Sequence, residues 1–173
     1  MSDHGLQILP ADLDDPSVVK LVESHILAAR RQTAPGSAHA LDLSGLRVPH
    51  ISVWVASRGG VVVGTGALKR LSTAEGEVKS MYTAPFARRC RVASVMLAHI
   101  IDTAQSEGLV RLSLETGSWS YFEPAIALYA SFGFVKCPPF ADYREDPNSV
   151  FMTLDLSTSG SSKNPALVQK NGI

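Results

Sequence analysis

Residues 77–108 constrain the fold of this chain most, because a strand, a proline-containing turn, a basic loop and an apolar helix follow one another there. The run Glu77–Tyr82 is typical of a strand, and Pro85 ends it. After the basic loop, apolar residues recur at helical spacing at Val92, Val95, Met96, Ile100 and Ala104. This helix is apolar over much of its circumference, which predicts that it packs against a sheet.

The flanking segments supply the rest of that sheet. Period-two or continuous apolar runs predict strands at 51–56, 61–71, 110–114, 134–137 and 149–156, and residues 6–9 form another short apolar stretch. Helical spacing predicts helices at 16–32, after the Asp15-Pro16 start signal, and at 122–132. Helices that alternate with strands after an antiparallel start predict an α/β or α+β fold, with a mixed sheet covered on both faces.

Composition limits the functions open to such a fold. The 173 residues include 16 Lys+Arg and 16 Asp+Glu, so the chain lacks the excess of cations expected of a nucleic-acid binder. There is neither an apolar run of the ~20 residues that a membrane span needs nor a signal peptide, so we expect a cytoplasmic protein. Cys90 and Cys137 are far apart and without metal-ligand spacing, which predicts reduced thiols and no metal site. We expect one domain over 1–156, followed by a Ser/Gly-containing flexible tail over 157–173.

Three arginines concentrate positive charge at the start of the helix predicted after Arg91, despite the neutral total. Arg88, Arg89 and Arg91 fall within four positions, between a strand and a helix. Backbone N–H groups and the positive end of a helix make such a loop a candidate phosphate site. A solvated loop with ordinary surface arginines explains the same pattern equally well.

Four segments together resemble the GNAT superfamily of acyl-CoA-dependent N-acetyltransferases, in particular a bacterial subfamily of uncharacterised members. The resemblance runs from about Leu6 to Leu156, and its most specific parts read VKSMYTAPFARRCRVASVMLAHII, RLSLETG, AIALYASFGF and PPFADYREDPNSVFMTL. The resemblance implies a single-domain GNAT fold, with a twisted, mostly antiparallel mixed sheet of about seven strands and helices on both faces. It also implies acetyl-CoA as cosubstrate and no metal.

The family wraps the pyrophosphate of coenzyme A with a Gln/Arg-x-x-Gly-x-Gly/Ala loop, and this chain departs from it. Arg88 and Ala93 match the first and last positions, but Arg91 stands where glycine is usual, and Arg89 also replaces a common glycine. Glycine tolerates a positive φ and lets backbone approach phosphate, so an arginine at 91 either crowds the cofactor or adds a charge-assisted contact. The resemblance implies cofactor binding by Met81, Tyr82, Thr83, Arg88, Arg89, Cys90, Arg91, Val92, Ala93, Ser94 and Phe122, the last standing where many members have an asparagine.

The resemblance also suggests catalytic roles. Glu77 stands where some members carry a catalytic glutamate, and period two places it on the same face as Lys79 and Met81. The alternative is an exposed strand glutamate paired with Lys79 or Arg70. Tyr129 matches the tyrosine that protonates the departing thiolate, and an N–H of Met81 or Tyr82 would stabilise the oxyanion.

Acceptor-binding residues are the least defined. Family topology nominates the loop after the first helix, with His39 and Asp42, and the connection between the last two strands, with Tyr143. Glu115, on the strand LETG, is a further candidate to anchor the substrate. Glu115 is also a second candidate base. His39 could instead be a surface histidine, and Asp42 and Asp146 could merely cap turns.

These observations predict an N-acetyltransferase that moves an acetyl group from acetyl-CoA to the primary amine of a small molecule by direct attack. Two alternatives remain: a GNAT-like module that binds acyl-CoA or a metabolite and has weakened catalysis because of the altered loop, or a protein or peptide N-acetyltransferase with an open groove. A homodimer is the expected assembly, since small enzymes with exposed strand edges commonly form symmetric dimers.

Overall fold

A computed structural model describes residues 5–157, so residues 158–173 of the predicted tail lie outside the described residues. The described part contains seven strands: β1 (Leu6–Pro10), β2 (Ile51–Arg58), β3 (Val61–Arg70), β4 (Glu75–Thr83), β5 (Arg111–Gly117), β6 (Val135–Lys136) and β7 (Ser149–Asp155). Its α-helices are α1 (Pro16–Arg31), α2 (Leu43–Leu46), α3 (Val92–Ser106) and α4 (Glu123–Ser131). The short α2 was not predicted, and the predicted strand over 134–137 shrinks to two residues.

All seven strands form one sheet in the order β1-β2-β3-β4-β5-β7-β6. Only β4 and β5 run parallel, because α3 crosses over between them; every other neighbouring pair is antiparallel. The predicted mixed sheet is therefore confirmed.

Helices cover both faces, as predicted. On one face α1 and α2 pack on the sheet through Val18, Val22 and Leu46. On the other face the core includes Met96, Leu97 and Ile100 of α3 and Tyr129 of α4. Within residues 5–157 no helix is both long enough and apolar enough to cross a bilayer.

The parallel pairing of β4 with β5 covers only a short stretch. Glu75–Glu77 pairs with Arg111–Ser113, whereas β4 continues to Thr83 and β5 continues to Gly117. The two strands therefore separate beyond Glu77, and the facing edges of both strands lose their ladder partners. We call this opening the β4/β5 split.

A β-bulge in β4 changes which face its later residues occupy. Ser80 has φ 55°, and the register with β3 shifts between Thr65 and Ala67, so one extra residue is accommodated. Glu77 and Lys79 share a face, as predicted. The prediction that Met81 joins them is wrong, because the bulge moves Met81 to the opposite face, where it packs against the α3 core.

Candidate active site

A cavity of about 600 Å³ occupies the β4/β5 split. Its walls come from α1, the loop after α1, β4, the loop before α3, β5 and α4. Lining segments are 37–40, 78–83, 87–89, 91–94, 115–117 and 121–122, together with residues of α1 and α4. The cavity therefore extends from the start of α3 to the loop after α1, along the edge that β4 leaves unpaired.

One end of the cavity combines a helix N-terminus with three arginines. The backbone N–H groups of residues 91–94 donate to no acceptor among the described residues, and no side chain caps α3. These groups and the positive end of a 15-residue helix favour negative charge at this point. Arg88, Arg89 and Arg91 line the same end. Arg88 also donates to the Tyr121 hydroxyl over 3.2 Å.

The two arginines that replace glycines adopt the backbone conformation that glycine favours. Arg89 has φ 60°, and Arg91 has φ 62° and ψ 10°, both in the left-handed region. A residue with a Cβ pays steric strain there. The loop therefore has the backbone conformation that glycine favours, although arginine occupies both positions.

The free edge of β4 presents backbone N–H groups to the middle of the cavity. The Ala84 N–H donates to Val63 O of β3 over 2.9 Å. Because backbone N–H groups alternate between the two edges of a regular strand, that of Tyr82 also points to β3, whereas that of Thr83 points into the split. Met81 lies within the bulge, where this alternation is interrupted. Of the two oxyanion donors considered from the sequence, the Tyr82 N–H is directed at β3, which leaves that of Met81 as the candidate.

Tyr129 and Phe122 line the cavity from the α4 side. Tyr129 is buried, with its ring against Phe134, and its hydroxyl has no hydrogen-bond partner among the described residues. Burial, followed by the nearby Glu115, raises the pKa of Tyr129 above its ordinary range. Phe122 packs directly on Gly117, where a Cβ would come within 2.1 Å of the ring.

At the other end, Glu115 is the carboxylate that lines the cavity. Burial raises the pKa of Glu115, while His39 and Lys79 act in the opposite direction. Raising the pKa makes the carboxylate a stronger base than an exposed glutamate. Glu115 is thus a cavity-lining carboxylate with a raised pKa.

Glu77 lies behind the cavity wall and does not line it. Its side chain is buried at 2% exposure and interacts with Lys79 Nζ over 3.0 Å and the Tyr143 hydroxyl over 2.5 Å. Lys79 Nζ also donates to the Tyr143 oxygen over 2.8 Å. The alternative prediction for Glu77, an exposed glutamate paired with Lys79 or Arg70, is correct in that Glu77 pairs with Lys79. It is wrong about the exposure of Glu77, which is buried, and Arg70 pairs with Glu107 instead.

Two further acceptor candidates differ in position. His39 lines the cavity and meets the edge of the Tyr143 ring, with centroids 5.2 Å apart. Asp42 lies outside the cavity lining and caps α2, accepting from the Gly45 N–H over 2.8 Å.

Cys90, which was predicted to bind the cofactor, also lies outside the cavity lining. Its carbonyl accepts a hydrogen bond from Arg58 over 3.1 Å.

Comparison with known proteins identifies the family. The model of the acetyltransferase (GNAT) family matches residues 20–134. The chain belongs to the GNAT family. YsnE of Bacillus subtilis, an N-acetyltransferase that is itself uncharacterised, is 52% identical over 145 residues, which are 84% of this chain and 96% of YsnE.

Solved structures share the GNAT fold. A Klebsiella pneumoniae protein matches with a TM-score of 0.71 at 28% identity, over 87% of this chain and 97% of its own. A GNAT acetyltransferase from Elizabethkingia anophelis, solved with acetyl-CoA bound, matches with a TM-score of 0.65 at 16% identity, over 88% and 99% of the two chains.

His25 lines the cavity and was not predicted as a site residue, because the helical spacing of residues 16–32 indicates only a helix that packs on the sheet. Its ring stacks on Tyr82 with centroids 5.1 Å apart. Burial, followed by the positive charge of Lys79, lowers the pKa of His25 to about 4, so it is neutral at pH 7. The sequence does contain a signal for this position: His25 is polar and lies one helical turn before the small residues Ala28 and Ala29, and both alanines also line the cavity.

Proposed function

We propose that this GNAT protein transfers an acetyl group from acetyl-CoA to the primary amine of a small molecule, by direct attack of the amine nitrogen on the thioester carbon. The observation that carries the proposal is the cavity in the β4/β5 split. Unpaired N–H groups lie at one end of this cavity, and a carboxylate with a raised pKa lies at the other.

Acetyl-CoA suits the donor end for two reasons. The N–H groups of residues 91–94 and the nearby arginines would hold the pyrophosphate. The Thr83 N–H would pair with an amide of the pantetheine arm along the free edge of β4. When bound, acetyl-CoA supplies an activated acetyl group and a thiol leaving group, and the Met81 N–H would stabilise the charge that develops on the carbonyl oxygen.

Glu115 would make the amine reactive. Most amines are protonated near pH 7, and only the neutral form attacks a thioester. Glu115, directly or through water, would take the proton that the ammonium group loses before attack. The second proton leaves the nitrogen for water as the carbon–nitrogen bond forms and the carbon–sulfur bond breaks, and coenzyme A departs as the thiolate. Glu77 is less suited to this role because its carboxylate already interacts with Lys79 and Tyr143.

Tyr129 would assist departure of the sulfur. Because burial raises the pKa of Tyr129, its hydroxyl stays protonated and can donate a hydrogen bond to the developing thiolate. Complete transfer of this proton is less favourable than hydrogen bonding, since the raised pKa makes the phenol a weaker acid. We therefore assign Tyr129 the role of stabilising the leaving sulfur.

The acceptor end supports a small acceptor over a protein chain. Tyr143, on the connection between β6 and β7, covers Glu77, and His39 packs against Tyr143 from the loop after α1. Tyr143 does not itself line the cavity, but two loops thus meet beside this end, where an extended peptide would need an open groove.

Two measurements test the proposal. Isothermal titration with acetyl-CoA should detect binding, and thiol release should depend on an added amine from a panel of ethanolamine, putrescine, phenethylamine, the proteinogenic amino acids and short peptides. Binding without any amine-dependent release would favour the module that only binds acyl-CoA. Release with peptides alone would favour the protein N-acetyltransferase.

Matched variants then test the base. With the best amine of the panel, Glu115→Gln should lower kcat about 100-fold or more while leaving the Kd of acetyl-CoA unchanged, since general base catalysis contributes on this scale. Glu77→Gln is the control carboxylate. A larger loss of kcat in a folded Glu77→Gln variant than in Glu115→Gln would return the role to Glu77.

A further inference from the structure

Three loops without regular secondary structure meet beside the acceptor end, and one asparagine side chain joins them. The loops are 32–42 after α1, 118–119 after β5 and 137–148 before β7. The first contributes Ser37–Ala40 to the cavity wall, and the third carries Tyr143, which packs on His39 and covers Glu77. The first loop therefore shapes the acceptor end directly, and the third loop supports it from outside the cavity lining through the contact of Tyr143 with His39.

The Asn148 amide contacts all three loops. Its Oδ1 accepts from the Trp119 indole Nε1 over 3.0 Å, and its Nδ2 donates to Asp146 over 3.0 Å and, at a longer 3.4 Å, to Ser37 Oγ. We call Ser37, Trp119, Asp146 and Asn148 the Asn148 clasp.

Neighbouring groups reinforce the clasp. The Asn148 carbonyl accepts from the Ser118 N–H over 3.0 Å, and the Ser118 hydroxyl donates to the Pro147 carbonyl over 2.7 Å. The Asp146 carboxylate also accepts from the backbone N–H of Asn148 over 2.8 Å. Both the main chain and the side chain at position 148 are thus engaged, and residues more than 100 positions apart are joined.

We propose that Asn148 is a positioning residue that fixes the three loops in the arrangement that admits the acceptor amine, without contributing to the binding of acetyl-CoA. The inference rests on the proposed function for its effect on catalysis, but the clasp itself can be tested without turnover. Arg88, Arg89, Arg91 and the first turn of α3, which form the donor end, make no contact with Asn148 among the hydrogen bonds of the described residues.

Asn148→Ala in the full chain removes all three hydrogen bonds of the side-chain amide, and Trp119→Phe removes the indole donor alone. Amide hydrogen exchange of segments 36–40 and 117–120 should accelerate about tenfold in Asn148→Ala, as expected for the loss of two or more hydrogen bonds. Trp119→Phe should accelerate mainly 117–120. Ser72→Ala, which removes turn contacts between β3 and β4, is the control and should leave both segments unchanged.

Kinetics test the positioning role. With the best amine of the panel, Asn148→Ala should raise the KM for the amine about tenfold, change kcat much less, and leave the Kd of acetyl-CoA within about twofold. Unchanged exchange in both segments would overturn the clasp. Exchange that accelerates equally across β5 and α3, or a Kd for acetyl-CoA that weakens in parallel with the KM, would reduce Asn148 to a general stabilising residue and overturn the proposal.

If Asn148→Ala fails to fold, the same exchange and kinetic measurements on Trp119→Phe decide whether the clasp positions the loops. If the wild-type protein acetylates no amine, the proposed function fails, while the exchange data still decide whether the clasp holds the loops.

Discussion

Replacing Arg91 by glycine should make the protein more stable and its binding of acetyl-CoA weaker. Arg91 holds φ 62° without any hydrogen bond from its guanidinium to the described residues. The left-handed conformation costs a residue with a Cβ about 1–2 kcal/mol. Glycine removes that strain but gains roughly 0.4–1 kcal/mol of additional entropy in the unfolded chain. The expected net gain in the free energy of unfolding is about 0.5–1 kcal/mol.

Affinity should change in the opposite direction. An exposed arginine beside a phosphate contributes about 0.2–1 kcal/mol, so losing it should weaken the Kd of acetyl-CoA by about threefold. Because screening weakens this contact, the difference between wild type and variant should shrink as salt concentration rises. Urea denaturation measures the stability, and isothermal titration at two salt concentrations measures the affinity.

Arg91→Ala is the matched control, since it removes the charge but keeps the Cβ. It should lose the same affinity without the gain in stability. A glycine variant no more stable than the alanine variant would refute the strained backbone at position 91. Tighter binding of acetyl-CoA by both variants would show that the arginine crowds the cofactor instead of contacting it.

Three more predictions follow from the core of the site. Glu77→Gln should lower the free energy of unfolding, measured by urea denaturation, by about 3 kcal/mol, because it leaves the buried Lys79 charge unpaired. The double variant Glu77→Gln with Lys79→Met should recover most of this loss. Gly117→Ala should lower stability by about 1–3 kcal/mol because the new methyl group meets the Phe122 ring; an unchanged thermal midpoint would contradict this packing. Below pH 6.5 His25 binds a proton in the unfolded chain but stays neutral in the folded protein, where its pKa is about 4. The free energy of unfolding should therefore fall by up to about 3 kcal/mol as the pH is lowered from 6.5 to 4. That part of the slope should be absent in His25→Gln.

Local sequence signals predicted most of the fold. The Asp15 cap and Pro16 correctly mark the start of α1, because the Asp15 carboxylate accepts from the Ser17 N–H over 2.8 Å. The apolar circumference of α3 correctly predicts its burial against the sheet. In each case the deciding interaction lies within a few residues or on one helix face, so the sequence pattern contains it.

Features that depend on distant residues could not be predicted this way. Period two assigned Met81 to the wrong face because the bulge at Ser80 leaves no glycine or proline signal. The engagement of Glu77 by Tyr143 joins residues 66 positions apart, and only the folded chain brings them together. The glycine-like conformation of Arg91 was a different case: the family signature indicated where a positive φ was needed, and the backbone adopts it despite the substitution.

The short pairing between β4 and β5 means that the sheet consists of two halves, joined along this seam by three residue pairs. A pantetheine arm lying in the split would act as a strand made of substrate, completing the ladder that the polypeptide leaves unfinished. Occupancy of the site would then bridge the two halves, and acetyl-CoA at 100 times its Kd would add about 2.7 kcal/mol to the stability of the folded state. The cosubstrate would in this sense be a structural part of the sheet for as long as it stays bound.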